Sequence, residues 1–246
     1  MTRRTTEDTR QLLLDVALKA LHERGVHVAV THVRLSDVAT EAGLTTGAAY
    51  RCWPNQETFH RDLAVAAVHW RDHGSIANTV DRIRTLVNDR APLAEVLRVG
   101  AAANIYRYPD DAPFLISVAL RTCAPADSEL GAAARERLAS SIENFSSLYD
   151  ALLHWYGRRM RSPFTIDDLA LTLAALSEGF TIQSMAGTSH ATVDRDDTAE
   201  GVGREWTLLG CAVESIVERY TEPDPQAVPQ PASAEQDDGQ VRTRPR

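Results

Sequence analysis

Residues 35–53, LSDVATEAGLTTGAAYRCW, constrain this chain more than any other stretch. They read as two short helices joined by a tight turn. Ala39 is small enough to let two helix backbones approach. Gly43 stands where a sharp turn after a helix calls for the left-handed conformation that side chains resist. Val38, Leu44 and Ala49 supply apolar contacts between the two helices, and Thr45 is placed to cap the second through its hydroxyl. This spacing is that of a helix-turn-helix, whose second helix, here residues 45–52, enters the major groove of DNA.

The flanks extend the pattern. Upstream, Leu13, Leu14, Ala17, Leu18 and Leu21 recur at the helical period, and Gly25 follows where that helix should end. Downstream, Pro54 stops the second helix of the motif. Asn55 is placed to cap the next one, which carries Phe59 and runs to about residue 72. Through the leading helix, Gly25, Ala39, Gly43, Gly47, Tyr50, Trp53 and Phe59 at these spacings, residues 10–63 resemble the N-terminal domain of the tetracycline-repressor (TetR) family. The resemblance spans about a quarter of the chain. It implies an all-α fold: an N-terminal three-helix helix-turn-helix DNA-binding domain, followed by a larger helical ligand-binding and dimerisation domain. The expected division is a flexible polar arm at 1–9, the DNA-binding domain at 10–61, the helical body at 62–220 and a disordered tail at 221–246. The tail reading rests on its Pro, Gln, Asp and Arg content, with almost nothing apolar to bury.

Net charge is −8, the wrong sign for a DNA binder taken whole. Its distribution is uneven: residues 1–61 hold 8 Lys/Arg against 7 Asp/Glu, and residues 62–246 hold 18 against 27. Only cations near the phosphates displace counterions, so an acidic body is compatible with a gripping head. No apolar run reaches the 18 residues of a membrane span, and no apolar segment follows the charged start. The three cysteines, Cys52, Cys123 and Cys211, are far apart and odd in number, which fits a reducing compartment. The expectation is a cytoplasmic protein with no membrane partner.

The resemblance assigns roles along the motif. Thr45, Thr46 and Gly47 lie at the DNA end of the recognition helix. Ala48 can offer its methyl to a thymine, and Arg51 can take a guanine or a phosphate. Tyr50 is the position whose hydroxyl meets the phosphate backbone in the family. Arg34 stands where the family more often has Thr, and it is placed to clamp a phosphate. Gln56 stands where the family has a phosphate-binding Lys. On that reading, lysine at 56 should tighten operator binding and steepen its salt dependence. Arg3 and Arg4 are candidates for a minor-groove arm.

Beyond the motif, helical periodicity recurs over residues 76–87, 92–106, 114–122, 128–155, 166–185 and 205–220, with no strand pattern. The last two look suited to pairing with a second copy through Leu169, Leu173, Leu176, Phe180, Leu209, Val213 and Ile216. Candidate lining for an apolar effector pocket is Tyr106, Phe114, Phe145, Tyr149, Phe180 and Met185, with Trp155 beside them. No nucleophile elbow, phosphate loop or HExxH sequence occurs, and His69 with His73 lacks a third metal ligand. The expectation is a non-enzyme without catalytic residues, cofactor or metal. The implied partners are double-stranded operator DNA, a second copy of the chain and a small-molecule effector. The implied function is ligand-responsive transcriptional regulation, namely a repressor on a palindromic operator that a small molecule releases. The alternative is a helical protein-interaction module, or an activator of the same fold without a ligand.

Overall fold

The structure is a computed structural model that describes residues 5–24, 30–70, 73–107, 112–124 and 128–227; at 21–24, 73–79, 104–107 and 123 the backbone alone is described. Among the described residues ten helices follow in order. They are α1 (Thr6–Arg24), α2 (Leu35–Glu41), α3 (Thr46–Cys52), α4 (Gln56–His69), α5 (His73–Asn88), α6 (Leu93–Arg107), α7 (Ala112–Cys123), α8 (Glu129–Trp155), α9 (Ile166–Met185) and α10 (Leu208–Tyr220). The expected all-α class holds. Two small antiparallel pairs, unseen in the sequence, are added to it: β1 (Arg158–Met160) with β4 (Thr221–Pro223), and β2 (Thr192–Asp194) with β3 (Glu205–Thr207). Three residues are too few for an alternating pattern to stand out from its surroundings.

Side chains fix most helix starts. Thr5 and Asp8 bond each other's backbone N–H reciprocally at the head of α1. Asn55 caps α4, Ser128 caps α8 and Thr207 caps α10. Thr165 and Asp168 form a reciprocal capping box on α9. The hydrogen bonds from Thr165 hold the Asp168 carboxyl below its ordinary range. These starts correct two expected boundaries. The polar arm is shorter than 1–9, because α1 begins at Thr6. The last helix begins at Leu208, because residues 205–207 pair as a strand before Thr207 caps it.

Two apolar cores form. The first joins Leu13 and Ala17 of α1, Leu35, Val38 and Ala39 of α2, Ala49 of α3, Trp53, and Phe59, Leu63, Ala67 and Val68 of α4 to Ile116 and Leu120 of α7 and Ala133 of α8. It therefore crosses the expected 61/62 boundary. That boundary falls inside α4, whose buried side continues to Val68. The second core gathers Ala101, Leu153, Leu169, Leu173, Leu209, Val213 and Val217 from α6, α8, α9 and α10. α8 belongs to both, and Arg137 on it donates to the carbonyls of Val68 and Trp70 at the end of α4.

The short sheets tie the segments that follow α8, α9 and α10 to this body. β4 extends past α10 to pair with β1, so residues 221–223 are ordered rather than tail; the expected tail beyond 227 lies outside the described residues. Arg159 pairs with Glu222 across it at 2.9 Å. The β2–β3 hairpin lies against α10, where Arg195 pairs with Glu214 and covers the buried Trp206 ring at 4.8 Å. Behind it, Glu95 accepts from Arg98 and from the backbone N–H of Gly203 (2.9 Å). The Arg98 hydrogen bonds hold the Glu95 carboxyl below its ordinary range.

Candidate nucleic-acid interface and apolar cavity

The turn between α2 and α3 takes the predicted form. Gly43 has φ +67°, Gly43 N donates to Thr40 O (3.0 Å), and Leu44 N donates to Ala39 O (2.8 Å). Val38, Ala39 and Ala49 are buried where the two helices meet. Thr45 caps α3, accepting from Ala48 N at 3.2 Å, and its hydroxyl proton stays available to another acceptor.

With Ala49 fixing the inner side, α3 turns its other side to solvent. Thr45, Thr46, Gly47, Tyr50 and Arg51 are exposed, Tyr50 by 44%, and Ala48 is half-buried at their edge. A Cβ added at Gly47 would meet nothing within 4 Å, so a surface can come close to the backbone there. Arg34 is exposed just before α2. Arg61 is also exposed, on α4, 3.8 Å from Glu57. Residues 1–4, with Arg3 and Arg4, lie outside the described residues, as does Gly25.

Gln56 departs from its expected role. Its amide turns inward: Nε2 donates to Val33 O (2.7 Å) and Oε1 accepts from Leu35 N (3.0 Å). His60 Nε2 lies 2.6 Å from Gln56 Nε2 and 2.9 Å from Val33 O; it accepts from the Gln56 amide in the tautomer that leaves it unprotonated and donates to Val33 O in the other. The physical reason lies at the start of α2. Arg34, the residue before that helix, makes no side-chain cap. The first N–H of α2 is therefore capped by a side chain 21 residues downstream, and a glutamine so engaged has no amide end left to face a phosphate.

The far end of α3 is anchored as firmly. Trp53 N donates to Ala49 O (3.2 Å), and the Trp53 ring is 1% exposed. That ring meets Phe59 edge-on at 5.2 Å and donates through Nε1 to Asp62 Oδ2 at 2.7 Å. Asp62 also pairs with Arg10 of α1, whose guanidinium lies 5.2 Å from the indole centroid. Burial pushes the Cys52 thiol above its ordinary range against the pull of Arg10 and Arg51. It therefore stays a protonated packing group.

The second core opens into an apolar cavity whose empty space, open solvent at its mouth included, is about 930 Å³. α5, α6, α8, α9 and α10 all contribute to its wall. Phe145 and Tyr149, stacked at 5.9 Å, are the expected residues that line it. The structure places the others elsewhere. Phe180 packs on His190 at 4.7 Å, Met185 is 46% exposed, Trp155 is exposed, and Phe114 sits half-buried on α7. The side chain of Tyr106 lies outside the described residues. Most of the wall is aliphatic and was not singled out in the sequence, because Leu and Val at helical spacing look alike whether they meet a neighbour or a void.

Leu169, Leu173, Leu209 and Val213 are buried within one chain, while Leu176, Phe180 and Ile216 are partly buried against them. His69 lies 3.9 Å from Glu136, and the His73 side chain is outside the described residues. No helix among the described residues is long and apolar enough to cross a membrane.

No protein-family model matches the sequence, and no curated protein sequence is significantly similar to it. Solved structures are similar. A transcriptional regulator, provisionally so assigned, from Rhodococcus sp. RHA1 is 15% identical with a TM-score of 0.53, over 86% of this chain and 94% of that one. A TetR-family regulator from Rhodococcus sp., also a provisional assignment, is 17% identical with a TM-score of 0.44, over 73% and 88%. The fatty acid degradation regulator FadR from Bacillus halodurans is 17% identical with a TM-score of 0.44, over 88% and 95%. The chain thus has the helical fold of the RHA1 regulator, a helix-turn-helix head on a larger helical body, which is the fold its resemblance to the TetR family implied.

Proposed function

We propose that this chain is a DNA-binding transcriptional regulator of the tetracycline-repressor type, not an enzyme. It acts as a homodimeric repressor on a palindromic operator and is released by a small molecule. The observation that carries the reading is the outward side of α3, held at one end by the Thr45 cap and at the other by Trp53. A rigid helix presenting Thr46, Gly47, Ala48, Tyr50 and Arg51 suits base edges and the adjoining phosphates. A gel-shift with the DNA flanking its own coding region tests it. Binding at low ionic strength is expected, and indifference to every duplex overturns the reading. Arg51→Ala should cost about tenfold in operator affinity with an unchanged melting temperature, the loss of one bidentate base or phosphate contact. An unchanged affinity would remove Arg51 from the interface.

Pairing doubles the base contacts and gives the site two-fold symmetry. The apolar positions first assigned to pairing are largely spent inside the protomer, so the proposal moves to the outer side of α9. Leu171 and Ile182, 48% and 45% exposed, stand three turns apart on one side, with Ala175 and Met185 between and beside them. Ile182→Glu should raise the dimer dissociation constant by about tenfold or more, read by sedimentation, with operator affinity falling alongside. A variant as dimeric as the parent would move the interface elsewhere.

The effector occupies the cavity of the second core. α8 lines that cavity with Phe145, Tyr149 and Leu153 and grips the end of α4 through Arg137. It is the element by which occupancy biases the spacing of the two heads, and the ligand shifts the dimer by its differential affinity for the two spacings.

A further inference from the structure

The cavity's wall specifies the kind of molecule it takes. Val80 and Ile83 of α5, Leu93, Val96 and Leu97 of α6, Leu148, Leu152 and Leu153 of α8, Leu169 and Leu173 of α9, and Val213 and Val217 of α10 make up most of its apolar surface. Two side chains carry a polar atom, Tyr149 and Ser177, each a hydroxyl. Among the described residues that line it there is no Asp, Glu, Lys, Arg or His. Glu95 pairs with Arg98 and Arg121 with Glu178, and none of the four side chains lines the cavity.

An ion entering such a space gives up its hydration and meets no opposite charge, so it binds worse than a neutral molecule of the same hydrocarbon content. A hydroxyl both donates and accepts, so Ser177 can serve a ligand hydroxyl, carbonyl or ester oxygen equally. From this wall we infer that the ligand is an uncharged, mostly hydrocarbon molecule with an oxygen function, such as a medium-chain alcohol, ketone, ester or lactone. Carboxylates, phosphates and quaternary ammonium compounds of equal hydrocarbon content bind more weakly. This rests on the proposal that the cavity is the effector site and narrows what fills it.

The test uses the whole protein and a neutral fluorescent probe, N-phenyl-1-naphthylamine. The probe is displaced in turn by 1-decanol, methyl decanoate, decanoate and decyltrimethylammonium, all below their aggregation thresholds. The alcohol and the ester should displace it at concentrations about tenfold or more below those of the two ions. Ser177→Asp should abolish probe binding, whereas Ser177→Ala should retain it, with thermal melts showing that both variants fold. Equal or better displacement by either ion overturns the inference, as does a protein that binds no probe. If Ser177→Asp does not fold, the wild-type series decides alone. Operator binding is measured in parallel. Neutral ligands that bind without releasing DNA leave the ligand class standing and reject the effector role.

Discussion

Trp53→Ala should lower the melting temperature by about 10 °C and abolish operator binding at physiological temperature. The ring is fully buried in the head core, packed edge-on against Phe59. Removing a buried tryptophan costs about 3–5 kcal/mol through lost transfer and an unfilled cavity. The usual stability of a domain is about 5–15 kcal/mol, so this one change consumes a large share of it. For a chain of this size each kcal/mol corresponds to about 2–4 °C. The loss falls on the recognition helix in particular, because Trp53 closes its last turn and delivers its indole N–H to Asp62. Asp62 keeps Arg10 but loses its second donor, and Arg10 loses the ring beneath it. Trp53→Phe separates these contributions. It keeps most of the apolar volume and removes the hydrogen bond, so it should cost about 1–2 kcal/mol. A Trp53→Ala protein that melts within about 2 °C of the parent would show that the head is not organised around this ring.

The head was legible because its determinants are contiguous. A small residue at Ala39, a left-handed Gly43, a hydroxyl at Thr45 and aromatics at Trp53 and Phe59 each act on neighbours a few residues away, and their spacing alone fixes their meeting. Gln56 was misread for the opposite reason. Its partners are backbone atoms of Val33 and Leu35, more than twenty residues back, and no side-chain pattern advertises them. The body shows the same limit at larger scale. Leu169, Leu173, Leu209 and Val213 announce an apolar stripe, but periodicity does not say whether α6 and α8 of the same chain or a second copy will cover it. Here the same chain does. The cavity was half visible: Phe145 and Tyr149 stood out by size, whereas Leu93, Leu97 and Val213 are ordinary core residues until five helices are seen to leave space between them. The 61/62 division marks where charge and motif end; α4 continues across it, as its apolar spacing implied, and its buried side carries the head core on into α7 and α8.

Gln56→Ala should destabilise the head by about 2 kcal/mol and weaken operator binding more than tenfold, with the melt and a titration as readouts. Leu35 is buried, so its N–H has no water to replace the lost acceptor, and an unpaired buried polar group costs about 1–3 kcal/mol. The damage lands on the first turn of α2, which sets where α3 lies. Gln56→Lys is the sharper variant, because two effects oppose each other in it. A lysine reaching out to a phosphate would steepen the slope of log affinity against log salt by about 0.9 and tighten binding. A lysine held in the present geometry keeps a donor for Val33 O, supplies no acceptor for Leu35 N, and sets a cation beside the His60 ring. The hydrogen-bond loss exceeds what one screened surface charge returns, since exposed charge contacts contribute about 0–1 kcal/mol. The expected result is a lower melting temperature, weaker binding and an unchanged salt slope. A steeper slope with tighter binding would mean that position 56 faces the duplex, and that the start of α2 is held by something other than this amide.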